Sequence, residues 1–283
     1  MIKTICVAGA GTMGSGIALG AAKAGYQVRL FDTQSAALDR ASVMIRQNAE
    51  SLAEKGKISQ DDKQRIIDTV IITADINSCR ADLVIEAIIE KTEAKIDLFG
   101  QLAGINGPDC IYASNTSSLS ITSIQEPFAY PDRMAGLHFF NPAHIMKLVE
   151  VVRGKHTSPA VMEELVDLCR RMDKTPVQCM DAPGFIVNRV ARHYYLEALK
   201  MADSGAASFE EIDKIMEASG FKMGPFRLMD LIGMDINLAV SQSLYEAFNQ
   251  EPRFKPSPLQ ERKVAAGELG RKTGRGFYDY SNK

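Results

Sequence analysis

The sequence predicts an α/β fold in which a doubly wound, mostly parallel sheet is followed by a second, all-helical carboxyl-terminal domain. Short apolar runs alternate with helical patterns in the first two thirds of the chain, and a glycine-rich turn follows the first run. Only helical patterns follow Pro183-Gly184. A chain of 283 residues is long enough for two domains, which we place at residues 1–184 and 185–283.

The composition argues against several classes of partner. With 33 basic and 35 acidic residues the net charge is −2, so no overall positive charge drives binding to nucleic acid or to an anionic membrane. Trp is absent and aromatic residues make up 7%, which disfavours a stacking surface for single strands. The five cysteines form no C-x-x-C pair and no zinc-ligand spacing, so we expect reduced thiols in a cytoplasmic protein and no metal site.

The chain begins with an uncharged run, Ile5 to Ala22, which superficially resembles a signal peptide or a membrane span. Its five glycines would weaken a lipid-spanning helix, and it contains no leucine-rich block. The run is instead typical of a buried strand, Ile2–Val7, followed by a helix that ends near Gly25. We therefore expect folded structure from the start, without a targeting segment.

A glycine-rich turn, GAGTMG, joins this strand and helix in G-x-G-x-x-G register. A dinucleotide site needs a tight turn, a backbone close to the pyrophosphate and a helix N-terminus pointing at negative charge. The next strand, Tyr26–Phe31, leads into Asp32, whose carboxylate can bind the adenosine ribose. The combination predicts a Rossmann-like domain that binds its cofactor through Gly9, Gly11, Met13 and Gly14. Asp32 repels a 2′-phosphate and no Arg directly follows it, so NAD is favoured over NADP.

The remaining elements follow in order from periodicity and turn residues. Helices are predicted at Gln34–Lys57, Asp61–Thr69, Thr92–Leu102 and Ala160–Met172. Further strands are predicted at Asp82–Ala87, Cys110–Ser114, Arg133–Phe139, Lys147–Val152 and Thr175–Cys179. The carboxyl-terminal helices are predicted at Ile186–Ala202, Phe209–Ala218, Asp230–Phe248 and Pro258–Ala266.

Ligands of open α/β sheets bind beyond the carboxyl ends of the strands, so polar residues there are the candidates. This criterion selects the Ser114-Asn115-Thr116-Ser117-Ser118 loop and His138. The loop is equally compatible with ordinary turn and helix-cap chemistry. The alternative for His138 is a histidine whose hydrogen bonds are satisfied in the core.

His138 is the histidine that both ends a predicted sheet strand and precedes an Asn-Pro turn; His144, His156 and His193 do not. A dehydrogenase without metal needs a base for the hydroxyl proton, and histidine suits both directions. Glu150 interrupts an otherwise apolar strand, where a carboxylate costs stability unless it is paired. Pairing with His138 would orient the ring. The alternative is an edge-strand Glu150 that faces water.

Seven motifs carry a family resemblance over nearly the whole chain: GAGTMGSGIA, SNTSSLSIT, GLHFFNP, MKLVEVV, APGFIVNR, GPFRLMDLIGMD and KTGRGFYDY. With them the chain resembles the L-3-hydroxyacyl-CoA dehydrogenase family, and within it the bacterial 3-hydroxybutyryl-CoA dehydrogenases. The resemblance implies NAD-dependent interconversion of (S)-3-hydroxyacyl-CoA and 3-oxoacyl-CoA. It also implies a cytoplasmic homodimer formed through the helical domain, which also closes over the substrate.

The resemblance also implies roles for individual residues. His138 is the general base or acid, Glu150 its partner, and Ser117 and Asn188 hydrogen-bond the reacting oxygen and its neighbours. Asp32 holds the adenosine ribose, and the rest of the cofactor is approached by Glu90, Lys95, Ser117, Asn141 and Lys272. Coenzyme A is approached by Asn48 and Lys55.

Two other functions stay open from the sequence. One is a dehydrogenase of the same fold that acts on another hydroxy acid, such as a sugar acid. The other is a non-catalytic NAD-binding structural protein, against which the presence of Ser117, His138, Glu150 and Asn188 together argues. Butyrate-type fermentation, fatty-acid degradation and polyester metabolism all use the reaction of the leading hypothesis.

Overall fold

The computed structural model describes residues 2–281 and divides the chain into two compact units, one ending at Ala182 and the other beginning at Pro183. The strands of the first unit are β1 (Thr4–Ala8), β2 (Gln27–Phe31), β3 (Val70–Thr73), β4 (Leu83–Glu86), β5 (Ile111–Ser114), β6 (Met134–Phe139), β7 (Leu148–Arg153) and β8 (Thr175–Met180). Its α-helices are α1 (Thr12–Lys23), α2 (Ser35–Glu54), α3 (Gln60–Thr69), α4 (Thr92–Asn106), α5 (Ile121–Gln125) and α6 (Pro159–Arg171).

The eight strands form one sheet in the order β3-β2-β1-β4-β5-β6-β7-β8. Neighbouring strands are parallel except β6 and β7, which pair antiparallel. The predicted fold class, a mostly parallel doubly wound sheet followed by a helical domain, is confirmed.

The position of the binding crevice follows from this strand order. From β1 the chain moves outward through β2 to β3, and then returns to place β4 on the other side of β1. Loops that leave the carboxyl ends of β1 and β4 therefore diverge, which opens a crevice where dinucleotides bind. Both strands consist almost entirely of buried apolar residues, as expected for a sheet covered on both faces.

The second unit contains α7 (Val187–Asp203), α8 (Phe209–Ala218), α9 (Pro225–Ile232), α10 (Met234–Ala247) and α11 (Pro258–Ala265). Buried Asp230 accepts hydrogen bonds from the backbone N–H groups of Phe277 and Tyr278 and from the Tyr280 hydroxyl. These bonds anchor the carboxyl-terminal segment on α9. No helix within residues 2–281 has both the length and the apolar character needed to cross a membrane.

Three elements differ from the sequence prediction, and one of them is helix α5, which was not predicted. The single helix predicted over Asp230–Phe248 is wrong, because Gly233 adopts φ +103° and separates α9 from α10. Strand β3 was missed, since its four residues follow α3 directly, with no turn residue to mark a change of element.

Candidate active site

The turn after β1 depends on its glycines. Gly9 has φ +109° and donates its N–H to the Phe31 carbonyl at 2.8 Å, and an added methyl group there would collide with the Ala87 carbonyl. A methyl group at Gly14 would overlap the carbonyl oxygen of Gly9. The two glycines therefore let β1, β4 and α1 approach closely, as a tight nucleotide-binding turn requires.

The first turn of α1 suits an anion. Its N-cap is Gly11, so no side chain caps the helix, and an atom added at its Cβ position would have no neighbour within 4 Å. Unsatisfied N–H groups at such a helix end attract phosphate. Asp32 lies beside this turn, accepting from Ala10 N at 2.8 Å and from Gln34 N at 2.9 Å. An open helix end next to a fixed carboxylate fits the pyrophosphate and ribose of NAD.

Two glycine variants separate binding from folding. Gly11→Ala is expected to keep the melting temperature of the free protein, because nothing lies near the new methyl group, but to weaken NADH binding at least tenfold by occupying the pyrophosphate's approach. Gly14→Ala is expected to lower the melting temperature, because its methyl group overlaps Gly9. Thermal denaturation and NADH titration measure both effects.

The matched control is Gly100→Ala, at an open position within α4, which is expected to be neutral or to stabilise by about 0.5–1 kcal/mol and to leave NADH binding intact. Wild-type NADH affinity in Gly11→Ala would contradict the assignment of the pyrophosphate to this helix end.

The loop after β5 is held by the Glu90 carboxylate. Its Oε1 accepts from the Thr116 hydroxyl at 2.5 Å, from Ser117 N at 3.0 Å and from the Ser118 hydroxyl at 3.2 Å. Its Oε2 lies 3.1 Å from Lys95 Nζ. Burial alone would raise the pKa of Glu90, but the Lys95 charge and these hydrogen bonds outweigh burial and lower the pKa. Glu90 therefore links Lys95 to the loop that carries Ser117.

The lowered pKa of Glu90 predicts the sign of an acid effect. A carboxylate with a depressed folded pKa stabilises the protein above its unfolded pKa of about 4.3, and this contribution disappears as the pH falls through the folded pKa. Glu90→Gln is therefore expected to melt below wild type at pH 7, with a gap that narrows as the pH falls below about 4. Scanning fluorimetry from pH 7 to pH 3 checks this, and a gap that stays constant would refute it.

His138 and Glu150 face each other across two antiparallel strands. They are directly paired in the register of β6 and β7, and His138 Nδ1 lies 2.7 Å from Glu150 Oε2. Glu150 is 1% exposed and His138 is 6% exposed. The predicted contact is present, and the alternative of a water-facing Glu150 is excluded. The Phe140 ring packs at 4.5 Å from the imidazole.

Asn115 connects the loop after β5 to the strand that carries His138. Its backbone N–H donates to the Glu86 carbonyl at 2.8 Å, and its Oδ1 accepts from Phe139 N at 2.9 Å. The end of β6 is thereby fixed against the loop that carries Ser117. Ser117 and His138 thus belong to adjacent loop and strand ends at one edge of the sheet.

Other predicted site residues lie on separate elements. Asn141 is exposed and precedes a cis bond to Pro142, in a loop that Lys174 Nζ holds through the carbonyls of Ala143 and Met146 at 2.6 and 2.8 Å. Half-buried Asn48 lies within α2 and exposed Lys55 caps its end, and this helix packs on α1, α3 and β3.

Two predicted residues belong to the second unit. Asn188 lies in the first turn of α7. Lys272 donates to both carboxylate oxygens of Asp235 at 2.6 Å, next to the backbone of Gly233.

Sequence reasoning missed Glu86 and the anchoring role of Asn115. Glu86 ends the apolar strand β4 and is fully buried. Glu150 was identified because it is a carboxylate within an apolar strand. The same rule, applied to Leu83-Val84-Ile85-Glu86, would have identified Glu86.

The arrangement supports proton transfer beside a dinucleotide. An imidazole whose Nδ1 is hydrogen-bonded to a buried carboxylate is held in one orientation, and an imidazole held in this way can act as a general acid or base through its other ring nitrogen. Within residues 2–281 no group of three or more His, Cys, Asp or Glu residues is placed to hold a metal ion.

Two family models match the chain. One, described as the NAD binding domain of 3-hydroxyacyl-CoA dehydrogenase, matches residues 4–182, and the other, described as its C-terminal domain, matches residues 184–280. The 3-hydroxyadipyl-CoA dehydrogenase of Escherichia coli K12 is 47% identical over 281 residues, which are 99% of this chain and 59% of that protein. The chain therefore spans little more than half of that relative's length.

Two relatives match over nearly their full length. The probable 3-hydroxybutyryl-CoA dehydrogenase of Bacillus subtilis strain 168 is 42% identical over 284 residues, covering 100% of this chain and 99% of that protein. The crystal structure of (S)-3-hydroxybutyryl-CoA dehydrogenase from Ralstonia eutropha superposes with a TM-score of 0.94 and 38% identity, covering 100% of both chains.

Proposed function

Because the chain belongs to the 3-hydroxyacyl-CoA dehydrogenase family, we propose that it interconverts (S)-3-hydroxyacyl-CoA and 3-oxoacyl-CoA with NAD. The preferred pair is 3-hydroxybutyryl-CoA and acetoacetyl-CoA, the substrate class in the names of the B. subtilis and R. eutropha relatives. The observation that carries the proposal is the buried 2.7 Å contact between His138 and Glu150, beside the strand ends that form a dinucleotide crevice.

Family membership confirms three predictions made from the sequence: the family, an NAD-dependent enzyme and NAD as the cofactor. Three further points belong to the proposal: the roles of individual residues, the acyl substrate and the assembly. The expected assembly is a cytoplasmic homodimer formed through the helical unit, serving short-chain steps of fatty-acid and butanoate metabolism.

Four residues of the chain have separate roles in the proposed reaction. When bound, NAD supplies the acceptor for the hydride that leaves the hydroxyl-bearing carbon of the alcohol. His138 Nε2 takes the hydroxyl proton during oxidation and returns it during reduction. Glu150 holds Nδ1, fixes the ring orientation and stabilises the charged imidazolium. Ser117 and Asn188 orient the reacting oxygen.

Other residues bind separate parts of the cofactor and of coenzyme A. Gly9, Gly11, Met13 and Gly14 surround the pyrophosphate, and Asp32 binds the adenosine ribose. The rest of the cofactor meets a set of polar side chains: Glu90, Lys95, Ser117, Asn141 and Lys272. Asn48 and Lys55 on α2 contact coenzyme A.

A substrate panel tests the proposal. We expect the full-length protein to oxidise NADH with acetoacetyl-CoA, followed at 340 nm, and to prefer NADH to NADPH because of Asp32. The panel runs from C4 to C16 3-ketoacyl-CoA thioesters, with free 3-keto acids and sugar-derived keto acids as the comparison. Turnover of the free acids alone would replace the proposal with another hydroxy-acid dehydrogenase, and NADH binding without any turnover would point to a non-catalytic protein.

A further inference from the structure

Glu86 is a buried carboxylate that holds three parts of the crevice together. It is 0% exposed, and its Oε1 accepts from Lys95 Nζ at 2.6 Å and from Ile88 N at 2.7 Å. Its Oε2 accepts from the Ser114 hydroxyl at 2.6 Å. One side chain thus binds the turn after β4, the first turn of α4 and the end of β5.

The position of Glu86 is the point where the strand order reverses. It ends β4 beside Ala8, the last residue of β1, and the next residue, Ala87, donates its N–H to the Ala8 carbonyl at 2.7 Å. The Ala87 carbonyl also lies against Gly9 of the nucleotide turn. Through Ile88, Glu86 therefore fixes the wall against which the glycine-rich turn packs.

Lys95 extends this anchor to the loop that carries Ser117. The Lys95 ammonium lies between Glu86 at 2.6 Å and Glu90 at 3.1 Å, and Glu90 in turn accepts from Thr116 and Ser117. We call Glu86, Lys95 and Glu90 the carboxylate-lysine cluster. Its two carboxylates and one ammonium carry one net negative charge.

A cluster of this kind contributes little to the free energy of unfolding. Glu86 and Lys95 are both at most 1% exposed, and burying an ion pair costs about as much as its attraction returns. Apolar side chains of similar volume would serve the core equally well. A buried ion pair at the crevice, joined to the more exposed Glu90, is better explained by an effect on what binds there.

The half of the cofactor that meets the cluster follows from the crevice. A dinucleotide spans the crevice with the adenosine ribose on the β2 side, where Asp32 lies. A dinucleotide bound in this orientation would place its nicotinamide half on the β4 and β5 side, where the cluster lies. The nicotinamide ring is positively charged in NAD⁺ and neutral in NADH, so a nearby net negative charge distinguishes the two forms.

We propose that Glu86 is a positioning residue that also sets the relative affinity of the site for NAD⁺ and NADH. It fixes Lys95, Glu90 and the Ser117 loop, and it makes the carboxylate-lysine cluster net negative, which favours NAD⁺ relative to NADH. This inference rests on the proposed function for the identity of the cofactor, but it concerns binding and is tested without turnover.

The test compares the dissociation constants for NAD⁺ and NADH in the full-length protein, well below the melting temperature. Glu86→Gln removes one negative charge while keeping the shape, and is expected to change the ratio of NAD⁺ to NADH dissociation constants roughly three- to tenfold, against NAD⁺. Glu86→Asp keeps the charge but shortens the reach, so both constants rise and their ratio stays within about twofold of wild type.

A second way to remove the charge covers the case in which Glu86→Gln does not fold. Glu90→Gln removes one negative charge from the more exposed end of the cluster and is expected to shift the ratio in the same direction. The control is Asp82→Asn at the opposite end of the β4 region, where the carboxylate accepts from Lys3 N and Thr4 N. It is expected to leave the ratio unchanged.

The outcomes are distinguishable. An unchanged ratio in both Glu86→Gln and Glu90→Gln, or an equal shift in Glu86→Asp, would overturn the inference even if wild type turns over acetoacetyl-CoA. Wild-type protein that binds neither NAD⁺ nor NADH would instead overturn the assignment of the cofactor site. A lower melting temperature with an unchanged ratio would reduce Glu86 to a structural residue.

Discussion

His138→Gln is expected to lower kcat for acetoacetyl-CoA reduction by about 10³-fold, because general acid-base catalysis contributes about 10²- to 10⁴-fold. Glutamine approximates the size of the imidazole and can still donate to Glu150, but it cannot exchange a proton near neutral pH. NADH binding is expected to change less than twofold, since the glycine-rich turn and Asp32 lie on other strands. Steady-state kinetics and NADH titration measure both.

The matched control for His138→Gln is His156→Gln. His156 follows β7, and its backbone N–H donates to the Gln125 side chain. This variant is expected to retain wild-type kcat. Turnover within tenfold of wild type in His138→Gln would remove His138 from the mechanism, while the family assignment would stand on the rest of the chain.

Glu150→Gln is expected to lower kcat by at least 10²-fold with little change in NADH affinity. The carboxylate accepts the Nδ1 proton and so leaves Nε2 able to take a proton, whereas an amide at this position can donate to Nδ1 and favour the wrong tautomer. The nearly isosteric change leaves the packing of β7 intact. Kinetics at several pH values, with thermal denaturation as a check on folding, test this.

A double variant separates catalysis from packing. If Glu150 acts through His138, then kcat of His138→Gln/Glu150→Gln falls little below that of His138→Gln alone. Fully multiplicative losses would indicate independent roles. The surface control is Glu163→Gln on the exposed face of α6, which is expected to leave kcat unchanged.

The local patterns of the sequence were sufficient for most of the fold. Strands covered on both faces must be apolar, and the glycine turn must follow the first of them, so β1, α1 and β2 were predictable. A carboxylate inside an apolar strand must find a partner, which predicted the contact of Glu150 with His138. The break at Gly233 and strand β3 were missed because neither interrupts the hydrophobic periodicity.

Neither the family resemblance nor the local sequence patterns predicted the contacts within the carboxylate-lysine cluster. Lys95 and Glu90 were predicted as cofactor residues, yet nothing in the sequence shows that Glu86 and Glu90 share one ammonium, or that Glu90 holds Ser117. Glu90 lies on the turn before α4 and Ser117 on the loop after β5, and only the parallel pairing of β4 with β5 brings these loops together.

The sequence by itself determined the family, the two-part organisation of the fold and the candidate residues for the chemistry, because these depend on residue type and on spacing along the chain. Only the tertiary structure decided which charges neutralise one another. Strand order and register set the distances between groups that are remote in sequence, and the attraction between charges depends on those distances. The buried ion pair between Glu86 and Lys95, and the contact between His138 and Glu150, both depend on the order and register of strands in the sheet.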